Sequence, residues 1–180
     1  MNKLTFKQVS IYFLTILILF GIPIYTIIIN TNTLKGGIEY LFKVEAFDPY
    51  DMFRGNYLNI NFQENSIPAN NVNIEGSNNN EYYFTIATDE NGFAYFEDMS
   101  ETKPKDTSNY FKTTARYISY SDKYIIDTPT RYYMNEDKAP MAEQIYNENI
   151  DNTYVKVRVK NGKMVIVGIY VNDVLIDTID

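Results

Sequence analysis

The feature that most constrains this chain is an uncharged apolar run near its N-terminus. It covers residues 9–29 and reads VSIYFLTILILFGIPIYTIII. As a helix, these residues would be roughly 31 Å long, which is enough to cross the hydrocarbon core of a bilayer. We therefore predict a transmembrane helix over 9–29, with the short segment 1–8 on one side of the membrane and the remaining chain on the other.

The charges that flank the run predict its orientation. Lys3 and Lys7 precede it, and the next charged residue after it is Lys35. An excess of positive charge favours the cytoplasmic side, so we expect a cytoplasmic N-terminus and residues 30–180 outside the cell membrane. A cleaved signal peptide is the alternative, but its apolar core is shorter and ends in a small-residue pattern that NTNTLKGG does not offer. We favour an uncleaved signal-anchor of a single-pass protein.

The composition excludes several kinds of chemistry. The chain has no Cys and no His, so it has no disulfides, no thiol nucleophile and no Ser-His-Asp triad. Zinc or copper sites are disfavoured, and we predict no metal and no cofactor.

Three Lys and no acid lie in residues 1–35, so the other 13 basic and 23 acidic residues give residues 36–180 a net charge of −10. Such a domain repels nucleic acid, which we exclude as a partner.

Beyond the membrane segment the pattern is mainly that of strands. Gly36-Gly37 indicates a flexible linker over 30–39, before a domain of residues 40–180. Residues 65–80 are rich in Asn and predict a surface loop. Two turn motifs, Asp89-Glu90-Asn91-Gly92 and Asn161-Gly162, predict hairpins. The predicted strands are Tyr40–Phe47, Tyr57–Gln63, Glu81–Thr88, Phe93–Glu97, Tyr110–Tyr120, Tyr124–Ile126, Thr153–Lys160, Lys163–Val171 and Asp173–Ile179.

A single soluble helix is predicted over Asp137–Asn149. Asp137 is the expected N-cap, and Pro140 lies in the first turn. Met141 and Ile145, four residues apart, would share its buried face, with Ala142 and Tyr146 beside them. The predicted fold class is mainly β (α+β): an N-terminal transmembrane helix, then a β-rich extracytoplasmic domain of antiparallel strands with one soluble helix, closed or two-layered to protect its sheet edges.

Chemistry-bearing residues concentrate in the stretch DPYDMFRGNYLNINF, residues 48–62. Arg54 follows Asp48 and Asp51, and a guanidinium bridging these carboxylates would stabilise the turn that Gly55 makes possible. The alternative is that Arg54 binds a carboxylate or phosphate of a ligand. Tyr57 begins the next strand and, by strand parity, lies opposite a core face formed by Leu58, Ile60 and Phe62. Tyr57 either covers the edge of the core or binds a partner.

A second cluster follows at residues 131–143. Arg131 and Tyr133 share one face of an extended segment and Tyr132 lies opposite, while Glu136 precedes the soluble helix and Glu143 lies on it. If the two clusters meet, they form a structural ion-pair network, which we favour. The same acids, Asp51, Glu136 and Glu143, would suit a carboxylate-dependent hydrolase or a glycan-binding module. A calcium-stabilised module is a further alternative.

The first cluster resembles the signature of the bacterial GDYXXXXY proteins, a family without an assigned function. Asp48, Pro49, Asp51, Arg54, Gly55 and Tyr57 match its context D-P-x-D-x-x-R-G-D-Y, whereas Asn56 replaces the motif Asp and Phe62 its second Tyr. The second cluster, the membrane segment and the Asn161-Gly162 hairpin are similar to the family as well. The resemblance implies an anchored extracytoplasmic domain and no particular reaction.

These observations predict a non-enzymatic role at the outer face of the membrane. We expect a partner-binding or assembly subunit of the cell envelope, with another envelope protein as its partner and the membrane bound through residues 9–29. Tyr-rich and Asn-rich surfaces suit contacts of this kind. The candidate binding residues are Arg54, Tyr57, Arg131, Tyr133 and Glu136, and the structural motif residues are Asp48, Asp51, Gly55 and Glu143.

Overall fold

A computed structural model describes residues 5–45, 57–73, 81–105 and 109–179. The first element is a long helix, α1 (Phe6–Gly36). Its start is capped by Thr5 and Gln8, whose side chains each bond to the other residue's backbone N–H. The apolar residues of α1 are exposed, and their mean hydropathy over the best window is 2.4. Within the described ranges, α1 is the one helix long and apolar enough to cross a membrane, as a single-pass protein requires.

The helix extends beyond the predicted membrane segment. Residues 30–36, which the two glycines predicted to be part of a linker, continue α1, and the first strand, β1 (Ile38–Glu45), begins only two residues after it. Gly37 is the C-cap, and its N–H donates to the carbonyl of Thr33 at 2.8 Å. The described chain therefore passes from helix to sheet through one residue, which places the domain directly against the end of its anchor.

Contacts with the sheet explain why the last turns of α1 stay helical. Thr33 is buried, the Lys160 Nζ donates to Asn32 Oδ1 at 3.0 Å, and the Arg158 guanidinium donates to the carbonyl of Leu34. Carbonyls at a helix C-terminus lack partners within the helix, so this Arg satisfies one of them. These tertiary contacts favour the helix over the flexible linker that a Gly-Gly pair alone predicts.

The domain is built from two antiparallel sheets and a short two-stranded ribbon. The remaining strands are β2 (Tyr57–Asn59), β3 (Asn61–Phe62), β4 (Ser66–Pro68), β5 (Val72–Asn73), β6 (Glu81–Thr88), β7 (Ala94–Ser100), β8 (Tyr110–Ile118), β9 (Lys123–Ile126), β10 (Arg131–Tyr133), β11 (Thr153–Lys160), β12 (Lys163–Val171) and β13 (Val174–Leu175). One sheet has the order β13-β12-β11-β1-β3, the other β4-β9-β8-β6-β7-β5, and the ribbon pairs β10 with β2. Among the described pairings, only the two-residue contact of β5 with β7 is parallel.

A chain of phenylalanine rings holds the two sheets together. Phe42 on β1 lies 5.4 Å from Phe96 on β7, and Phe62 on β3 lies 5.1 Å from Phe42. Phe84 and Phe111 of the second sheet contact Phe96 in turn. All five rings are buried between the sheets, so the predicted mainly β fold class is confirmed and its two-layered form is the one adopted.

Both predicted hairpin turns are present. The carboxylate of Asp89 accepts the N–H groups of Asn91 at 2.9 Å and Phe93 at 2.8 Å, so its side chain closes the β6–β7 turn. Asn161 and Gly162 have φ values of 51° and 80°, the left-handed conformation of a type I′ turn between β11 and β12.

Two predicted segments differ in the structure. Part of the Asn-rich loop is ordered as edge structure, because Ser66–Pro68 pairs with β9 and Val72–Asn73 pairs with β7, whereas residues 74–80 lie outside the described chain. The predicted last strand is strand only at Val174–Leu175. The chain then turns into a 3-10 helix, Ile176–Thr178, which buries Ile176. Pairing with neighbouring strands decides the conformation of the first segment, and burial of Ile176 decides that of the second.

The soluble helix α2 (Ala139–Glu148) is present but starts later than predicted. Lys138 is its N-cap, and Asp137 belongs to the preceding turn, where its N–H donates to the side chain of Asn135. Its buried residues are Ala139, Ala142 and Tyr146, while Ile145 is half-buried. Met141 is 50% exposed, so its predicted place on the buried face is wrong. The Tyr146 hydroxyl donates to the carbonyl of Glu45 at 3.0 Å. This hydrogen bond holds the helix face of Ala142 and Tyr146 toward the sheet.

The single-residue joint at Gly37 predicts a sharp steric requirement. A Cβ at this position would lie 2.6 Å from the Thr33 carbonyl oxygen and 3.1 Å from the carbonyl oxygen of Val159. Gly37→Ala should therefore lower the free energy of unfolding by about 1–3 kcal/mol, the usual cost of overpacking. Gly21→Ala is the matched control, since a Cβ there has open space. Urea titration of the detergent-solubilised protein measures both. Equal stability of the two variants would show that the joint tolerates rearrangement.

Candidate functional site

The ribbon of β2 and β10 pairs the described end of the first cluster, from Tyr57 onward, with the start of the second cluster. Its register pairs Tyr57 with Tyr133, Leu58 with Tyr132 and Asn59 with Arg131. The pairing continues one residue further, where the Ile60 N–H donates to the Thr130 carbonyl at 2.8 Å. Backbone hydrogen bonds thus position residues that are more than seventy apart in the sequence.

Strand parity predicted the two faces of this ribbon correctly. Leu58, Ile60 and Phe62 are completely buried. Tyr132 packs against the core on the inner side, whereas Arg131 and Tyr133 are exposed on the outer side, with Tyr133 retaining 67% of its accessible surface. The outer side therefore presents side chains that the core does not require.

Tyr57, Arg131 and Tyr133 form a compact outer face, which we name the ribbon face. The Tyr57 and Tyr133 ring centres are 5.6 Å apart, and the Arg131 Cζ lies 5.1 Å from the centre of the Tyr57 ring. Opposite and diagonal neighbours on paired strands reach each other in this way. The cation–π contact orients the guanidinium. Its N–H groups keep their capacity to donate, because the face of an aromatic ring is not a conventional hydrogen-bond acceptor.

The other predicted site residues either lie outside the described residues or belong to α2 and the turn before it. Asp48, Asp51, Arg54 and Gly55 lie outside the described residues. Glu136 is exposed in the turn before α2, and Glu143 is half-buried on α2. Within the described ranges no salt bridge joins either of these acids to Arg131, and no cluster of three or more His, Cys, Asp or Glu could hold a metal ion. The ion-pair network, the carboxylate pair and the calcium site all involve Asp51 and therefore stay predictions.

A groove of about 620 Å³ opens beside the ribbon face. Its walls come from the end of α1, from β8, from the segment joining β9 to β10, from β10 itself and from the start of β12. The residues that line it are Asn30, Phe111, Lys112, Thr113, Asp127, Thr128, Pro129, Arg131, Tyr132, Tyr133, Lys163, Met164, Val165 and Ile166. A volume of this size matches small-ligand clefts. We name it the juxtamembrane groove, because Asn30 directly follows the apolar stretch of α1.

Two charged side chains of the groove, Lys112 and Asp127, have hydrogen-bond partners within the domain. The Lys112 Nζ contacts Glu81 at 2.6 Å, and this hydrogen bond raises the pKa of Lys112. Asp127 is bound to β8, because its carbonyl accepts from the Thr113 hydroxyl at 2.7 Å and its carboxylate from the Thr114 hydroxyl at 3.2 Å. Asp127 is the one carboxylate among the described lining residues, so those residues offer no carboxylate pair.

Tyr132 connects the ribbon to the C-terminal turn. Its hydroxyl donates to the carboxylate of Asp177, and the carbonyl of Asp177 accepts from the Lys138 Nζ at 3.2 Å. Burial, together with the hydrogen bond to Asp177, raises the pKa of Tyr132 well above its usual value. This contact positions β10, and with it Arg131 and Tyr133, against the rest of the domain.

Several groove residues escaped the sequence analysis. Lys112, Asp127 and Lys163 belong to separate strands or loops and to no motif. The one available signal was the Asn161-Gly162 turn, which places Lys163 at the start of a strand. Its position beside Lys112 depends on a hydrogen bond from the Lys112 N–H to the Gly162 carbonyl, 2.9 Å long, which joins the two sheets.

The long apolar helix, the two-layered β domain and the β2–β10 ribbon define a class of protein, a β-rich domain carried on an N-terminal helix of membrane-spanning length. The chain belongs to the GDYXXLXY protein family, which it matches over residues 19–169. The family resemblance of the first cluster is thereby confirmed. Neither a curated protein nor a solved structure matches the chain significantly.

The family's name spells a motif that this chain follows with substitutions. Gly55 and Tyr57 keep the named residues, while Asn56, Ile60 and Phe62 stand at the positions of Asp, Leu and the last Tyr. Ile60 and Phe62 are fully buried, and Phe62 packs against Phe42 without a hydroxyl. In this chain the second half of the motif therefore contributes to the core. Among the residues that the motif names, Tyr57 is the described one that lies on the outer side.

The Tyr132–Asp177 contact predicts a specific dependence of stability on pH. The folded protein keeps Tyr132 neutral at pH values where the unfolded chain ionises it, so the stabilisation is complete below pH 10 and is lost as the pH rises above 10. Tyr132→Phe should lower the free energy of unfolding by about 1 kcal/mol at pH 7 and make its decline above pH 10 shallower.

Tyr133→Phe is the matched control for this prediction, because Tyr133 neighbours Tyr132 but lies on the exposed side. Urea titrations at pH 7, 9, 10 and 11 measure both variants. An alkaline decline in Tyr132→Phe as steep as in the unmodified protein would contradict the assignment.

Proposed function

We propose that this protein is a non-enzymatic partner-binding or assembly subunit of the cell envelope, anchored by α1 with its N-terminus in the cytoplasm and its β domain outside. The orientation is supported by Lys3 and Lys7 before the apolar run. The observation that carries the binding role is the ribbon face, where Arg131 and Tyr133 are exposed beside the half-buried Tyr57 on a backbone fixed by strand pairing.

The composition of the ribbon face supports binding of a protein partner. Tyr and Arg are the residues enriched where interfaces gain most of their free energy, because each combines a large contact area with hydrogen-bonding groups. Tyr133 is largely exposed, so burial against a partner would remove much apolar ring surface from water. Its ring contact with Tyr57 limits its motion beforehand, which reduces the entropy lost on binding.

The partner we propose is another envelope protein. The domain joins α1 through one residue, so the ribbon face can reach only surfaces that stand close to the same membrane. The net charge of −10 on residues 36–180 favours a partner with a basic or neutral surface. A carboxylate-dependent hydrolase or glycan-binding module would need Asp51 together with Glu136 and Glu143, and it stays an alternative prediction.

Affinity purification of the full-length protein tests this proposal. Membranes are cross-linked, solubilised in mild detergent, and the co-purifying proteins are quantified by mass spectrometry. Tyr133→Ala should reduce capture of the specific partner by at least tenfold, since truncation of a central aromatic at an interface commonly costs about 2 kcal/mol. Arg54→Ala, from the first cluster, should also reduce capture.

Tyr120→Ala is the matched control, because Tyr120 is 92% exposed and lies in the turn between β8 and β9, away from the ribbon. It should leave capture unchanged, and all variants should keep the unfolding midpoint of the unmodified protein. Recovery of monomer alone, or equal capture by the Tyr133 and Tyr120 variants, would refute the role of the ribbon face.

A further inference from the structure

The position of the juxtamembrane groove relative to the bilayer follows from the sequence of α1. The uncharged apolar stretch ends at Ile29, and Asn30 is both the next residue and part of the groove wall. The last turns of the helix, residues 30–36, rise roughly 10 Å beyond the hydrocarbon. Lipid head groups occupy a layer of similar depth. When α1 crosses a membrane, the groove therefore opens into the head-group layer.

The groove is locally basic although the domain is acidic. Lys112, Arg131 and Lys163 line it, against one described carboxylate, that of Asp127. Charges farther apart than about 8–10 Å are largely screened at physiological ionic strength. A head group in the groove would therefore interact mainly with Arg131 and Lys163, less with Lys112, which Glu81 pairs at 2.6 Å, and little with the overall charge of −10.

Two of the three cations are available for a ligand. Within the described ranges, Arg131 contacts the Tyr57 ring rather than a carboxylate, and Lys163 is exposed at the first position of β12 without a salt bridge. Lys112 is already paired with Glu81. An oriented guanidinium beside a free ammonium is a favourable arrangement for a phosphate, which accepts charge-assisted hydrogen bonds from both.

Uncharged groups around the groove fit the rest of a lipid head group. The side-chain oxygen of Asn30 is buried and has no hydrogen-bond partner in the described structure, so a hydroxyl donor would satisfy it. Tyr132 and Tyr133 supply amphipathic rings of the kind enriched at membrane interfaces. Met164 and Ile166 add apolar wall on the β12 side.

We propose that the juxtamembrane groove binds the phosphate of an anionic phospholipid head group, with Arg131 and Lys163 as its principal ligands and Lys112 as a weaker one. The bound lipid would lock the rotational position of the β domain on the membrane surface. Lipid binding in the groove does not require a protein partner, so the experiment uses the protein and lipid alone.

Native mass spectrometry of the full-length protein tests the proposal. The protein, in a neutral detergent, is titrated with phosphatidylglycerol or phosphatidylcholine, and the number of lipids retained per chain is counted. We expect one phosphatidylglycerol per chain, bound at least fivefold more tightly than phosphatidylcholine. Each lysine or arginine near an anionic surface typically contributes about a fivefold gain in affinity, so Lys163→Gln should weaken binding about fivefold and Arg131→Gln with Lys163→Gln about 25-fold.

Lys123→Gln is the charge-matched control, because Lys123 is exposed on β9 and does not line the groove. It should retain the lipid, and Lys163→Arg should also retain it, which separates loss of charge from misfolding. Equal retention of the two lipids, or an equal loss in Lys123→Gln, would overturn the proposal. Displacement of phosphatidylglycerol by millimolar inorganic phosphate would assign the cations to a soluble phosphate and overturn the lipid assignment.

Discussion

The attachment of the last turn of α1 to β11 is the contact on which the rest of the structure depends. Arg158 binds the carbonyl of Leu34, Lys160 binds Asn32, and Thr33, the helix residue between these two, is buried. Glu39 extends this contact through salt bridges of 3.1 Å to Lys156 and 3.4 Å to Arg158, and the hydrogen bond from Lys156 lowers the pKa of its carboxyl. Because β1 starts directly after Gly37 and pairs with β11, this attachment determines which edge of the domain lies against the end of α1.

The same attachment leaves two neighbouring surfaces beside the end of α1. The juxtamembrane groove opens at the level of Asn30, while the ribbon face lies on the outer side of β10 and β2. Arg131 and Tyr133 belong to both, because they form part of the ribbon face and also line the groove. A lipid in the groove and a protein on the ribbon face would therefore be energetically coupled through these two side chains, because occupation of one site would change the orientations open to them at the other.

Local sequence signals predicted elements whose stabilising contacts are themselves local. The Asp89–Gly92 and Asn161-Gly162 turns formed because their side chains and left-handed residues satisfy the turn within a few residues. The buried set Leu58, Ile60 and Phe62 followed from period-two alternation. Predictions failed where a distant contact decides the outcome. Residues 30–36 are helical because of β11, and α2 buries Ala142 and Tyr146 rather than Met141 because Tyr146 bonds to Glu45 at the end of β1.

By itself, the sequence determined that this protein carries one apolar helix of membrane length, that its domain is mainly β, and that Arg131 and Tyr133 share a strand face. These properties depend on hydropathy, turn chemistry and alternation, which act over a few residues. Only the tertiary structure decided that Tyr57 lies against Tyr133, that Lys112 and Lys163 share a groove with Arg131, and that the domain joins its anchor without a linker. Those arrangements come from strand pairing between residues far apart in the chain, and no local pattern encodes which strands distant in sequence will be neighbours.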